Sequence, residues 1–245
     1  MAAPRTIIPV ADAEALAVAA ADRLMARIDT NPGRIAICLT GGSGPKRLYA
    51  LLATPAYRDR IPWDRTHWFI GDDRFVPTAD PLSNIGMAKA AFLDACAPRD
   101  CVHPMPTDAP SPDAAARLYE AMLKAFHDIE VLDPAHPLFD MVLMGLGPDG
   151  HTASLFPGYP AVEVTDRWVV GVPEAHVAPF VPRVTLTLPA LASCREMLFL
   201  IHGAEKRDIV AKVLASDDLP ASRARSIGET VWLIDNAALP EPLHA

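Results

Sequence analysis

Strand-like apolar runs alternate with helical segments along this chain, and that order predicts an α/β fold: a mainly parallel sheet with helices on both faces. Three observations carry the prediction. Ile35–Leu39 and Met141–Met144 are apolar at every position, as strands covered on both faces should be. Each runs directly into a glycine-rich turn, Thr40–Pro45 and Gly145–Gly158. Helix-start signals stand between the strand-like runs, among them Ser111-Pro112-Asp113. Of the 245 residues 51% are hydrophobic, enough for a substantial core. No repeat, low-complexity block or long linker divides them, so residues 1–245 are expected to form one domain.

In chain order, Thr6–Val10 reads as the first strand. Asp12 can cap an alanine-rich helix that runs to about Ile28 and stops before Asn31-Pro32-Gly33. After Ile35–Leu39 a second helix should start near Pro45. Trp68-Phe69-Ile70 reads as a strand that leads into the loop Gly71–Pro77. Ser83 should cap a helix reaching about Leu93, and Ser111 one reaching about Ile129. Beyond the turn after Met144, Arg167–Val172, Val184–Leu188 and Met197–Ile201 read as strands, with Arg183 just ahead of the second. A helix follows Gly203 to about Leu214, with Lys206 in its first turn, and Glu229–Ile234 closes the sheet.

Composition removes several classes of function. A net charge of −8 argues against nucleic-acid binding, since no basic excess offsets phosphate repulsion. Asp12, Glu14, Asp22, Arg23 and Arg27 interrupt the N-terminal alanine run, which is therefore neither a signal peptide nor a membrane span; the expected compartment is the cytoplasm. Cys38 and Cys194 fall in or beside core segments, and Cys96 and Cys101 lack C-x-x-C spacing. The eight histidines form no H-x-x-x-H or H-E-x-x-H pair, so no metal is expected.

The chemistry concentrates in GLGPDGHTASLFPG, residues 145–158. An open α/β sheet places ligands at the carboxyl ends of its strands, which is where this turn should open. Asp149 and His151 flank Gly150, which permits a sharp bend, and histidine is suited to moving a proton near neutral pH. Asp149-Gly150 is also a common hairpin pair, but alternating strands do not flank it. Gly145, Gly147 and Gly150 fit G-x-G-x-x-G, yet Pro157, Gly158 and Pro160 would stop the helix that a dinucleotide site needs.

Three other loops should reach the same rim. Thr40–Pro45, between strand and helix start, presents free amides to an anion without matching a Walker loop. Asp72, Asp73 and Arg74 form either a surface ion cluster or a hold for sugar hydroxyls and a charged group. Lys206 at a helix start opposes the dipole, and a bound anion would compensate it. Residues alone thus lead to an α/β protein that binds an anionic small molecule.

At these loops the chain resembles the 6-phosphogluconolactonases. The matching stretches are LTGGSGPKRLY at 39–49, FIGDDRFVP at 69–77, DPLSN at 80–84, DMVLMGLGPDGHTASLFPG at 140–158 and PRVTLTLPAL at 182–191, with the Gly203–Lys206 turn. Gly44 stands where the family commonly has threonine, and Asp73 where glutamate is usual. The resemblance implies a Rossmann-like sheet of the sugar-phosphate isomerase and deaminase type. It further implies hydrolysis of 6-phosphogluconolactone in the pentose phosphate pathway, without a cofactor. On it, His151 is expected as general base with Asp149 behind it. Substrate contacts are expected at Gly41, Gly42, Ser43, Asp72, Arg74, Asn84, Gly150, Arg183 and Lys206, with the phosphate near the Gly41–Gly44 loop, Arg183 and Lys206. The related deaminases carry a glutamate five residues after the histidine, where this chain has Phe156. A non-catalytic sugar-phosphate sensor would bring a basic DNA-binding segment, and none precedes residue 35.

Overall fold

The computed structural model describes residues 5–215 and 218–241. Six strands form the main sheet: β1 (Arg5–Val10), β2 (Ile35–Leu39), β3 (Thr66–Ile70), β5 (Phe139–Met144), β8 (Cys194–Ile201) and β9 (Glu229–Asp235). Their order is β1-β9-β8-β5-β2-β3, and every neighbouring pair is parallel. From β2 the chain moves outward to β3, then returns to the other side of β2 as β5. Strand order therefore reverses between β2 and β5, which opens a crevice beyond their carboxyl ends. The two glycine-rich turns leave the sheet at that crevice.

β2 is buried at every position, as its unbroken apolar run requires, and so is β5, where the one charged residue, Asp140, accepts from the Ala36 amide at 2.8 Å. The flanking helices start where side-chain caps allow. Asp12 accepts from the amides of Glu14 and Ala15 at 3.0 and 2.9 Å and opens helix Ala13–Thr30. Ser111 accepts from the Ala114 amide at 3.1 Å and opens helix Pro112–His127, which ends at Asp128 in the left-handed region. One apolar cluster extends from Leu16 to Leu239 through both layers of helices and the sheet between them.

The expected strands and helices are present, with four differences. Arg167–Val172 and Val184–Leu188 shorten to β6 (Val169–Val172) and β7 (Arg183–Leu186), and Leu188 instead begins helix Leu188–Ala192. These two strands leave the main sheet. They join β4 (Asp72–Arg74) in a separate antiparallel sheet ordered β4-β7-β6. β4 lay inside a stretch read as loop, because three charged residues carry no apolar period. The main sheet closes on β1, not on Glu229–Ile234, which pairs on both sides. The helix after Ser83 runs past Leu93 to Cys96 through a wider π-helical turn.

Glu120 ties the small sheet to the body. It is buried in helix Pro112–His127 and accepts from the amides of Trp168 and Val169 and from Arg167 Nε, at 3.0, 3.3 and 3.2 Å. Each bond to a charged acceptor is worth about 1.5–3 kcal/mol. Arg183 and Arg74 face each other in the β4–β7 register, which brings two cations to one place that sequence spacing does not reveal.

His67 of β3, His103 and His127 all pack on the Phe126 ring. The His103 ring stacks on Phe69 at 4.4 Å between centroids, and its Nε2 lies 3.0 Å from His67 Nδ1. Burial presses the His103 and His127 pKa values down to about 4, and the Arg34 cation pushes both the same way. These rings stay neutral in the fold, whereas the unfolded chain protonates them near about 6.5. Their contribution is therefore complete above that value and is lost as pH falls toward the folded value. We expect the urea midpoint to fall between pH 7 and pH 5, and His103→Phe to flatten that fall. An equal slope in wild type and variant would contradict the account.

Candidate active site

A cleft of about 220 Å³ opens where the strand order reverses. Its wall comes from Thr40 to Gly44 after β2, Asp72 and Arg74 of β4, Asn84, Gly145 to Pro148 and His151 to Ala153 after β5, Arg183 of β7, and Lys206. The four loops expected at one rim do meet there. Gly41, Gly42, Ser43, Asp72, Arg74, Asn84, His151, Arg183 and Lys206 all line the cleft.

The turn after β5 is held by its own backbone. The Gly147 amide donates to the His151 carbonyl at 2.8 Å, and the Gly150 amide donates to the Gly147 carbonyl at 3.1 Å. Thr152 Oγ1 donates to the Gly145 carbonyl at 2.8 Å. Gly147 has a specific task here. A Cβ at that position would fall 2.1 Å from His151 Nδ1 and Cε1, so only glycine leaves room for the ring. Ala153, on the cleft wall, has φ 49°, a left-handed conformation that costs about 1–2 kcal/mol outside glycine.

Gly150, expected as a substrate contact, is not among the residues that line the cleft. Its φ of 87° and its amide bond to Gly147 make it the pivot of the turn, and its carbonyl accepts from the Ala221 amide at 3.0 Å. Asp149 also stands off the cleft wall, behind His151. Its Oδ1 accepts from His151 Nδ1 at 2.5 Å and from the His151 amide at 3.1 Å. An ionised carboxylate only accepts, so Nδ1 carries a proton, and in a neutral ring the lone pair then lies on Nε2. Burial by itself would raise the Asp149 pKa. The His151 hydrogen bonds and charge, with His176 beside them, prevail and hold the carboxyl well below the ordinary range.

Cations and their partners shape the rest of the wall. Arg183 is buried; its Nε donates to the Val181 carbonyl at 3.1 Å and its Nη2 to the Pro179 carbonyl at 2.7 Å. Burial lowers the affinity of Arg183 for its proton, against the pull of Asp72 and with the push of Arg74. Arg74 donates to the Leu82 carbonyl at 2.6 Å, while its Nε is buried with no acceptor among the described residues. Lys206 sits in a 3₁₀ turn, Ala204–Lys206, just ahead of helix Arg207–Ala215 rather than inside its first turn. Its ammonium donates to the Leu146 carbonyl at 2.7 Å, which leaves further donors for a ligand. Burial lowers its pKa, opposed by Glu205 and Asp149.

Asp72 is buried and receives Ser154 Oγ at 2.6 Å, while Asn84 Nδ2 donates to the Asp72 carbonyl at 2.9 Å. Asp73 faces away from the cleft. Its carboxylate accepts from the amides of Arg74, Asn84 and Ile85 and from Ser83 Oγ, at 2.8, 2.6, 3.1 and 3.2 Å. It thus anchors the start of helix Asn84–Ala88. Among the described residues no group of three or more His, Cys, Asp or Glu is placed to hold a metal. None of the described helices is long and apolar enough to cross a membrane.

Sequence reading missed His176, Ser154 and His202. His202 lines the cleft, and Ser154 supports Asp72. His176 Nε2 donates to Asp149 Oδ2 at 2.8 Å across a separation of 27 residues. No spacing rule connects two residues so far apart. Ser154 alone had a visible signal, its place in the DGHTAS string.

Known proteins bear on this site. A family model described as glucosamine-6-phosphate isomerases/6-phosphogluconolactonase matches residues 11–232. A 6-phosphogluconolactonase of Streptomyces coelicolor is 40% identical over 250 residues, covering 95% of this chain and 94% of that protein. One from Synechocystis is also 40% identical, over 213 residues and 84% of each chain. The solved 6-phosphogluconolactonase of Trypanosoma brucei superimposes with a TM-score of 0.82 at 31% identity, covering 97% of this chain and 98% of that one. With its family pattern matched over most of its length and its four loops assembled around one cleft, the chain belongs to the glucosamine-6-phosphate isomerase/6-phosphogluconolactonase family.

Proposed function

We propose that the protein hydrolyses 6-phosphoglucono-1,5-lactone to 6-phosphogluconate, the step of the pentose phosphate pathway that opens the lactone. The observation that carries the reading is the His151 ring on the cleft wall, tied at 2.5 Å to Asp149 behind it and facing a cleft that Arg74, Arg183 and Lys206 also line. Relatives that bear the 6-phosphogluconolactonase name support the choice of substrate.

In this reading His151 Nε2 takes a proton from a water as the water oxygen attacks the lactone carbonyl carbon. Asp149 remains ionised and stabilises the imidazolium that forms. The tetrahedral intermediate collapses by breaking the bond to the ring oxygen, and His151 returns the proton to that oxygen. The products are a free hydroxyl and a carboxylic acid, which ionises. Amides of Gly147, Gly150 and His151 are already committed within the turn. The developing oxyanion is therefore better served by a cation that lines the cleft, such as Arg74. General base catalysis of this kind contributes about 10²–10⁴-fold.

The phosphate is assigned to the Gly41–Gly44 loop with Arg183 and Lys206, and Asp72 and Asn84 to the sugar hydroxyls. Phe156 is fully buried 4.9 Å from the His151 ring, so no second acid stands there to open a sugar ring as a deaminase would require. The cations also carry the cleft against a chain charge of −8, so affinity for the dianionic substrate should fall as salt rises.

The deciding assay is acid release from freshly generated 6-phosphogluconolactone above the spontaneous rate. His151→Ala should lower kcat by about 10²–10⁴-fold; turnover within a few-fold of wild type would contradict the base assignment. Arg183→Ala should raise KM by about tenfold or more with a smaller change in kcat, and a loss confined to kcat would remove Arg183 from the phosphate. Gly147→Ala, which forces the His151 ring aside, should cost kcat while the circular dichroism spectrum stays native. Ammonia release from glucosamine 6-phosphate would place the protein with the deaminases instead.

A further inference from the structure

Asp149 is shared between two imidazoles. Its Oδ1 serves the ring and amide of His151, while its Oδ2 accepts from His176 Nε2 at 2.8 Å. His176 lies in the segment 173–182 between β6 and β7, outside the stretches that define the family resemblance. We infer that His176 is a positioning residue: it holds the second oxygen of Asp149 and thereby fixes the ring orientation and tautomer of His151. The inference rests on the hydrolase reading above, and deepens it by adding a residue that never touches substrate.

Geometry supplies the reasons. Rotation of a carboxylate about its last side-chain bond is soft, with broad minima rather than sharp wells. Held only through Oδ1, the Asp149 plane could swing, and the 2.5 Å bond to His151 Nδ1 would stretch with it. A second donor on Oδ2 removes that freedom. The donor is itself fixed. Its ring packs on Phe156 at 5.0 Å and on Tyr159 at 5.2 Å, and Phe156 also packs on His151 at 4.9 Å. Both imidazoles are thus braced by one buried phenyl ring as well as joined by one carboxylate.

His176 is not placed to act on substrate. Its side chain is 39% exposed against 18% for His151, and it is absent from the cleft wall. The hydrogen bond from His176 leaves the negative charge of Asp149 in place for the imidazolium on His151. Lys206, whose charged form Asp149 favours, is bound to the Leu146 carbonyl and cannot replace the lost donor without leaving it. A tether for the segment 173–182 is the competing explanation. That segment is also held by Arg183, through the carbonyls of Pro179 and Val181, so loss of His176 does not release it entirely.

Two variants separate positioning from tethering. His176→Phe keeps an aromatic ring against Phe156 and Tyr159 but removes the donor. His176→Gln restores a neutral donor of similar reach. In substrate-free protein, at a pH high enough for the imidazoles to be neutral, nitrogen NMR should give His151 as the single Nδ1-protonated tautomer in wild type. It should become a mixture of both tautomers in His176→Phe and return to the single form in His176→Gln. With 6-phosphogluconolactone, kcat should drop about tenfold in His176→Phe with KM within about twofold, and His176→Gln should recover to within about threefold of wild type. An unchanged His151 tautomer in His176→Phe overturns the inference, whether kcat is retained or is lost together with thermal stability. If the wild-type protein fails to hydrolyse the lactone, the function falls, but the tautomer signature still decides whether His176 sets His151.

Discussion

The carboxylate of Asp149 is the constraint on which the active centre depends. It is partly withdrawn from water, accepts from two imidazoles and one amide, and stays ionised because those donors outweigh the burial. Every feature of the turn after β5 serves that arrangement. Gly150 takes a positive φ so that the chain can double back between Asp149 and His151. Gly147 omits a side chain so that the imidazole fits in the space opened. The strain of a left-handed Ala153 is tolerated because Thr152 and Ser154, on either side of it, are pinned to Gly145, Asp72 and Thr185.

A second cost is electrostatic. Three cationic side chains line one small cleft, and two of them, Arg183 and Lys206, have their charged forms disfavoured by burial. The fold offsets this only in part, with carbonyl oxygens from Leu146, Leu82, Pro179 and Val181 and with the carboxylate of Asp72 nearby. A ligand bearing two negative charges would complete the compensation. The same desolvation that weakens each cation alone strengthens its attraction to an incoming phosphate. In the proposed reaction, one property of the site, its low exposure, would serve both binding and catalysis.

The small antiparallel sheet connects the two. β4 delivers Asp72 and Arg74, β7 delivers Arg183, and the segment between β6 and β7 delivers His176. The parallel sheet alone supplies the glycine-rich turns and Lys206. In this chain Ser154 joins the two sheets, since its hydroxyl ties the turn after β5 to Asp72 of β4.

Local signals were legible in the residues themselves. Unbroken apolar runs marked β2 and β5 because a strand buried on both faces has no polar side to show. Asp12, Ser83 and Ser111 marked helix starts because a capping side chain bonds an amide two or three residues away. The turn at Gly145–Gly158 was legible because its glycines, Asp149 and His151 act on each other within seven positions. What lay across the fold was not. β4 is too short and too charged to carry a period, and the alternating residues of β7 are buried on both faces by a packing that alternation does not anticipate. Gly150 was read as a ligand contact, although its amide is spent inside the turn, a fact of backbone geometry. The facing of Arg74 and Arg183, the orphaned Arg74 Nε and the bond from His176 to Asp149 all join residues more than twenty positions apart or depend on burial. Sequence determined which residue types and turns could do chemistry here. Only the tertiary structure decided which of them share one carboxylate and one cleft, because proximity at that range is created by strand order and packing rather than by spacing along the chain.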